Sequence, residues 1–291
     1  MSISVSDFES VLRRAVDEAA GECCPPLLAA ALKHSVFPGG ARVRPKLCVA
    51  VSLANDGDAP ALSAAAAASV ELLHCASLVH DDMPCFDNAA QRRGKPSVHR
   101  QFGEPIALLA GDALIVAAFS LLAAPHLPAR GRLPELMRVI AEGVGSPYGI
   151  AAGQAWESEP VVDVSLYHRA KTGALFIAAT AAGAAAAGVD VGPWKALGAK
   201  IGEAYQVADD IQDATSTAEE LGKPCGVDSA LERPSAVSEL GLDGATRRLR
   251  QLVEEGMDAV PPCRGRAELQ EVVASQAKRF LPRACAPVVV A

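Results

Sequence analysis

Two stretches of this sequence gather carboxylates where apolar runs end. The first, LVHDDMPCFDNAAQRRG at 78–94, carries Asp81, Asp82 and Asp87 and then Arg92 and Arg93. The second, YQVADDIQD at 205–213, carries Asp209 and Asp213 four residues apart, with Gln206 one turn earlier on the same helical face. Like charges this close raise each other's pKa unless a cation sits between them. No lysine lies within a turn of Asp209 or Asp213, so pairing along the helix does not explain them. Oxygen ligation of a hard cation does. Mg²⁺ takes one or two carboxylates per site and fills its octahedron with water and phosphate oxygens.

The first cluster has a different geometry. Pro84 disfavours helical backbone at Met83, so the helix ends near Asp82 and a loop returns Asp87 towards Asp81. Arg92 and Arg93 come too late to be helix partners of Asp81, but their forks suit phosphate oxygens. Arg42 and Arg44 follow a Gly-Gly turn, and Lys171, Lys223 and Arg233 lie near or after the second cluster. Acids and bases concentrated at the ends of apolar helices predict Mg²⁺-bridged phosphate above an apolar cavity.

The elements that must hold these groups read as helices throughout. Alanine recurs in runs such as 64–68 and 184–187, and aromatics make up only 4% of the 291 residues; alanine is the best helix former and lets helices approach closely. Helical periodicity predicts helices over 6–20, 26–36, 44–54, 60–82, 105–123, 133–145, 163–187, 193–213, 242–258 and 266–280. The breaks between them are short, and no strand alternation or long linker divides the chain. The expectation is one all-α domain over residues 1–291. A net charge of −7 argues against nucleic acid as a partner. Eight cysteines without a CxxC pair read as reduced thiols in the cytoplasm, and the N-terminal segment has no signal-peptide core. The run at 105–124 is long enough to span a bilayer. Asp112 near its middle would cost roughly 2.5–3.5 kcal/mol there, so the run reads as a buried helix at the centre of a bundle or at a subunit interface, with no membrane span.

With these motifs on the page, the chain resembles the trans-isoprenyl diphosphate synthases, most closely the bacterial carotenoid-pathway geranylgeranyl diphosphate synthases. HDDMPCFD is similar to that family's first aspartate-rich motif in its longer form, RRGKPSVH follows it, and YHRAKTG at 167–173 and YQVADDIQD match later motifs. The resemblance implies the isoprenoid synthase fold, about ten helices around a central cavity, in a homodimer. It implies three Mg²⁺ ions, replaceable by Mn²⁺, on Asp81, Asp87 and Asp82 and on Asp209 and Asp213. It implies that Arg92, Lys171, Lys223 and Arg233 hold an allylic diphosphate, Arg233 standing where the family has lysine. Arg44, His74 and Arg93 would hold isopentenyl diphosphate, and Thr172 and Gln206 would turn oxygen dipoles to a developing carbocation. The family's lysine after the double glycine is Ala41 here; Arg42 is the candidate replacement.

The same resemblance bears on product length. Ser77 lies one turn before Asp81 on its face, and Ala76 stands where relatives that stop at C15 carry a bulky aromatic. A small side chain there predicts geranylgeranyl diphosphate, C20, over farnesyl diphosphate. A terpene cyclase would carry a different second metal motif, and a non-catalytic subunit of a prenyl synthase has only Ala41 in its favour.

Overall fold

Alanine sets the spacing of the helices around the cavity. The computed structural model describes residues 5–37, 39–215 and 235–280. Its helices are α1 (Val5–Ala19), α2 (Pro26–Val36), α3 (Val43–Ala54), α4 (Pro60–Asp81), α5 (Val98–Phe102), α6 (Glu104–Leu122), α7 (Leu133–Val144), α8 (Ile150–Trp156), α9 (Val164–His168), α10 (Ala174–Ala187), α11 (Gly192–Thr215), α12 (Ala236–Asp258) and α13 (Arg266–Phe280). α10 packs against α3, α4, α7 and α11. Its segment Ala178–Ala186 is buried on every side, and a helix apolar all round belongs in the interior. α4 is nearly as enclosed from Leu62 to Leu73 and lies along α6, where the Ser69 hydroxyl donates to the Ala118 carbonyl across 3.1 Å. Small side chains let these axes come close, and larger ones such as Leu47, Leu72, Leu114 and Phe176 fill the remaining space with no exposure above 1%.

Most of the expected helices are present, with instructive departures. The span 163–187 is three pieces, because a π-helical turn over Arg169–Gly173 separates α9 from α10. α12 begins at Ala236, six residues before the expected start; Ser235 and Ser238 form a reciprocal capping box, and Gly241 at φ 67° kinks the helix where apolar periodicity resumes. α5 and α8 are five and seven residues long, too short to show a periodicity. The break at RRGKP contains a two-residue antiparallel ladder, β1 (Gln91–Arg92) with β2 (Lys95–Pro96).

Three segments are long and apolar enough to cross a membrane: Pro60–Asp81, Glu104–Leu122 and Ser165–Ala187. The first and third are buried among other helices, but only 33% of the α6 window is. Leu109 and Val116 on α6 are 51% and 64% exposed, so α6 lies at the outside of the bundle. Of the two expectations for the 105–124 run, the bundle centre is overturned.

Arg42 also departs from expectation. It sits at φ 52° before α3, with its guanidinium turned inward onto Glu71, onto Glu9 at 3.0 Å and onto the Val36 carbonyl at 2.9 Å. A Cβ on Gly39 would meet its carbon Cζ at 2.1 Å, so the glycine makes the passage. Arg42 and Glu71 are each almost fully buried, and Arg42 is therefore a structural counter-ion for Glu71, not a replacement for the cation absent at Ala41. Removing one partner of a buried pair strands the other charge. Arg42→Met is expected to cost about 3–5 kcal/mol in urea unfolding; a loss below about 1 kcal/mol would place the pair among solvated surface bridges.

Candidate active site

A cavity of about 770 Å³ lies between α4, α6, α8, α10 and α11. Along α4 its wall runs from Asp81 through His80, Ser77 and Ala76 to Leu73; Leu108, Ile115, Val144 and Leu175 supply more of the apolar lining, and Asp87, Asp209 and Asp213 the carboxylates. The two acidic motifs, distant in sequence, thus face one space.

The loop after α4 behaves as proline dictates. α4 ends at Asp81, and the Asp87 amide donates back to the Asp81 carbonyl at 3.0 Å. One carboxylate oxygen each from Asp81, Asp87 and Glu157 come within 4.8 Å of one another. An all-oxygen set of carboxylates fits a hard divalent cation. Asp82 goes elsewhere. Its side chain is 3% exposed and accepts from Arg92 Nε at 2.9 Å and Nη2 at 2.5 Å. Burial, with Asp81 and Asp87 nearby, pushes Asp82 up to about 6 despite the pull of Arg92. Asp81 and Asp87 line the cavity and Asp82 does not.

The paired arginines are split by their turn. Arg93 and Gly94, the two residues between β1 and β2, both have positive φ, 55° and 74°, as a two-residue hairpin of type I′ requires. Arg92 turns to the acids, its Nη2 3.6 Å from Asp81 as well, so much of its fork is spent on carboxylates before any phosphate arrives. Arg93 lies over Gly40, where an added Cβ would come within 3.0 Å of its Nε. It is close enough to Arg44 and His74 to lower the pKa of both.

Arg44 and His74 form the second corner of the site, with Arg93 close by. Arg44 stacks on Phe176 at 4.3 Å and on Tyr205 at 5.4 Å, and its Nη1 faces His74 Nε2 at 3.5 Å. Its Nε is buried without a hydrogen-bond partner among the described residues. A buried orphan donor is costly, and on the cavity wall it fits an anionic ligand. Burial and the flanking arginines hold His74 well below its usual range, so it is neutral at pH 7. Lys46 Nζ donates back to the Ala41 carbonyl at 2.9 Å.

Lys171 and Thr172 sit on the π turn, a distortion frequent at functional sites. The turn fits tightly against α8: a Cβ on Gly153 would fall 2.3 Å from the Lys171 nitrogen. Lys171 Nζ donates to Glu157 at 2.5 Å and to Asp81 at 3.3 Å. Thr172 Oγ1 donates to Gln206 Oε1 at 2.5 Å, and Gln206 Nε2 donates to Asp210 at 2.8 Å. Burial raises the pKa of Asp210, opposed by bonds from the Ala236 amide and Gln206. Glu157, which also accepts from Tyr167 Oη at 2.6 Å, was not expected from the sequence. Its only signal there is an acid three residues after Gln154, just past the end of a helix too short to read. Lys223 and Arg233 lie outside the described residues.

The Polyprenyl synthetase family model matches residues 25–270. The chain belongs to the polyprenyl synthetase family. It is 51% identical over 275 residues to the geranylgeranyl diphosphate synthase of Cereibacter sphaeroides, covering 94% of this chain and 96% of that one. It is equally 51% identical to the geranylgeranyl diphosphate synthase of Rhodobacter capsulatus, over 94% and 95%. Among solved structures, the Helicobacter pylori geranyltransferase complexed with magnesium and isoprenyl diphosphate superposes with a TM-score of 0.77 at 31% identity, covering 95% of this chain and 99% of that one. The fold is that of the polyprenyl synthases.

His74 ties the site to pH. Because its folded pKa is depressed, the unfolded chain binds a proton that the folded one refuses once pH falls below about 6.5. That contribution to stability is present above pH 6.5 and is lost as pH falls towards the folded pKa. His74→Gln is expected to flatten the unfolding free energy between pH 6.5 and 5 by up to about 1.4 kcal/mol per pH unit. Parallel curves for both proteins in denaturant titrations would show that His74 titrates normally.

Proposed function

We propose that this chain is a short-chain trans-prenyltransferase that condenses isopentenyl diphosphate with allylic diphosphates and releases geranylgeranyl diphosphate. The observation that carries the reading is one cavity lined by carboxylates and cations at the end of α4 and by Leu73, Ala76, Leu108 and Ile115 beneath. A substrate with an anionic head and a hydrocarbon tail matches both. The names of the two 51% identical relatives support the C20 product.

In this reading Asp81, Asp87, Asp209 and Asp213 hold the metal, with Glu157 beside the first pair, and Asp82 serves by holding Arg92. Bound Mg²⁺, as three ions with Mn²⁺ as a substitute, would offset the charge of the departing diphosphate. Lys171, Lys223 and Arg233 hold that diphosphate, with Arg92 at its edge. Arg44, His74 and Arg93 hold isopentenyl diphosphate, and the orphan Nε of Arg44 gains its missing acceptor there. The allylic C–O bond breaks with its electron pair passing to the diphosphate. The double bond of the second substrate supplies the pair for the new C–C bond. The proton lost from the adjacent carbon goes to the released diphosphate. Thr172 and Gln206 face the transient cation with oxygen dipoles, and the apolar walls keep water from it.

Chain length falls to Ala76 and Ser77, which line the cavity about one turn below Asp81 and leave its path open. The exposed apolar face of α6, with Leu109 and Val116, is assigned to a homodimer contact. The chain is assigned to the cytoplasm, where its eight cysteines, none in a CxxC pair, would be reduced thiols.

The test is turnover with Mg²⁺, isopentenyl diphosphate and each of the C5, C10 and C15 primers. The expected product is C20, abolished by excess chelator, with Asp81→Ala and Asp209→Ala lowering kcat by about two or more orders of magnitude at unchanged helicity. Product that stops at C15 would make the chain a farnesyl diphosphate synthase, and full activity in chelator would end the metal assignment. Ala76→Tyr is expected to shift the main product to C15; a product still mainly C20 would show that this position does not set the floor. Sedimentation is expected to give twice the chain mass, and Val116→Glu with Leu109→Glu to halve it.

A further inference from the structure

We propose that Asp210 is a positioning residue that fixes the direction of the Thr172 hydroxyl through the Gln206 amide. The inference rests on the function proposed above, in which Thr172 faces a carbocation. Asp210 is 5% exposed and lies behind the cavity wall, whereas Thr172 and Gln206 are on it. Its two oxygens are both engaged: Oδ2 accepts from the Ala236 amide at 2.7 Å, and Oδ1 accepts from Gln206 Nε2 at 2.8 Å. Ala236 is the first residue of α12, whose N-terminal amides favour a negative charge. Gln206 Oε1 in turn accepts from Thr172 Oγ1 at 2.5 Å.

The direction of every bond in this chain follows from one end. A carboxylate only accepts. The Gln206 nitrogen must therefore face Asp210, which leaves the Gln206 oxygen facing Thr172. An amide oxygen only accepts, so the Thr172 hydroxyl must donate to it. Its single hydrogen is then spent, and the hydroxyl shows lone pairs to the cavity. That is the polarity a developing cation requires, and it is set before substrate binds, at no reorganisation cost during ionisation. With a neutral amide at 210 the order reverses. The new NH₂ would face Gln206, the Gln206 amide would turn over, and its nitrogen would donate to Thr172. The hydroxyl hydrogen would then be free to point at the cation. Asp209, the preceding residue, lines the cavity with the metal-assigned acids; Asp210 does different work one helical position away.

Asp210→Asn is nearly isosteric and keeps an oxygen for the Ala236 amide. It is expected to lower kcat by about tenfold or more while leaving both KM values and the thermal midpoint near those of the wild type. In a Thr172→Val background, where only the Gln206 dipole remains to be turned, the same change is expected to cost several-fold less than in the wild type. Equal losses in the two backgrounds, or an undiminished kcat, would overturn the proposal. A readout free of turnover accompanies the cycle. The side-chain amide protons of Gln206, identified in a ¹H–¹⁵N spectrum by their loss in Gln206→Leu, are expected downfield against the carboxylate and to move upfield in Asp210→Asn. Unmoved signals would overturn the amide orientation. A wild-type protein that makes no product from any primer would refute the proposed function, and the spectrum would still decide whether Asp210 orients Gln206.

Discussion

Mutual repulsion among carboxylates is the constraint around which the site is organised. Asp81, Asp82, Asp87 and Glu157 gather at the end of α4, and among the described ion pairs Arg92 and Lys171 answer them. Unit charges about 4 Å apart interact by about 4 kcal/mol at an effective dielectric of 20, so acids gathered this closely need cations beside them, and Arg92 and Lys171 are two of those. In the function proposed above, metal and diphosphate would use the charge gathered there. Asp82 carries the burden of holding Arg92 in place, and its pKa rises towards neutrality because that service is performed in the dark of the protein interior. Lys171 bridges Asp81 and Glu157 before any substrate is present.

The cations are placed by backbone geometry more than by helix periodicity. A type I′ turn sends Arg92 one way and Arg93 the other. The left-handed backbone at Arg42 directs that guanidinium inward to Glu71, while Arg44, two residues on, stacks over Phe176 and Tyr205. A π turn sets Lys171 and Thr172 side by side on the cavity wall. Each is a local departure from regular structure with a φ or helical register that costs energy by itself, and each is held by packing or buried ion pairs around it.

Alanine gives the rest of the molecule two properties at once. Along α10 it lets neighbouring helices close in until no space remains. On the cavity face of α4 the same small side chain at Ala76 lines open space. Composition is shared between the two surfaces; only the presence or absence of a facing helix distinguishes core from cavity.

The helical class, the ends of α2, α3, α4 and α6 and the two acidic motifs were legible in the sequence, because proline, glycine and four-residue spacing act locally. Pro84 alone predicted the return of Asp87 to Asp81. The family resemblance, carried by motifs of charged residues, named most of the groups that the fold brings to one cavity. What tertiary structure decided was partnership. Whether Asp82 faces a metal or Arg92, whether Arg42 faces a substrate or Glu71, and that Glu157 belongs to the site at all depend on elements up to tens of residues away meeting in space. α6 shows the same limit, since its apolar run fits a bundle centre or a subunit interface equally until its neighbours are known. Spacing along a chain fixes which side chains share a face; it carries no record of what that face will meet, and burial, charge compensation and hydrogen-bond direction are properties of the meeting.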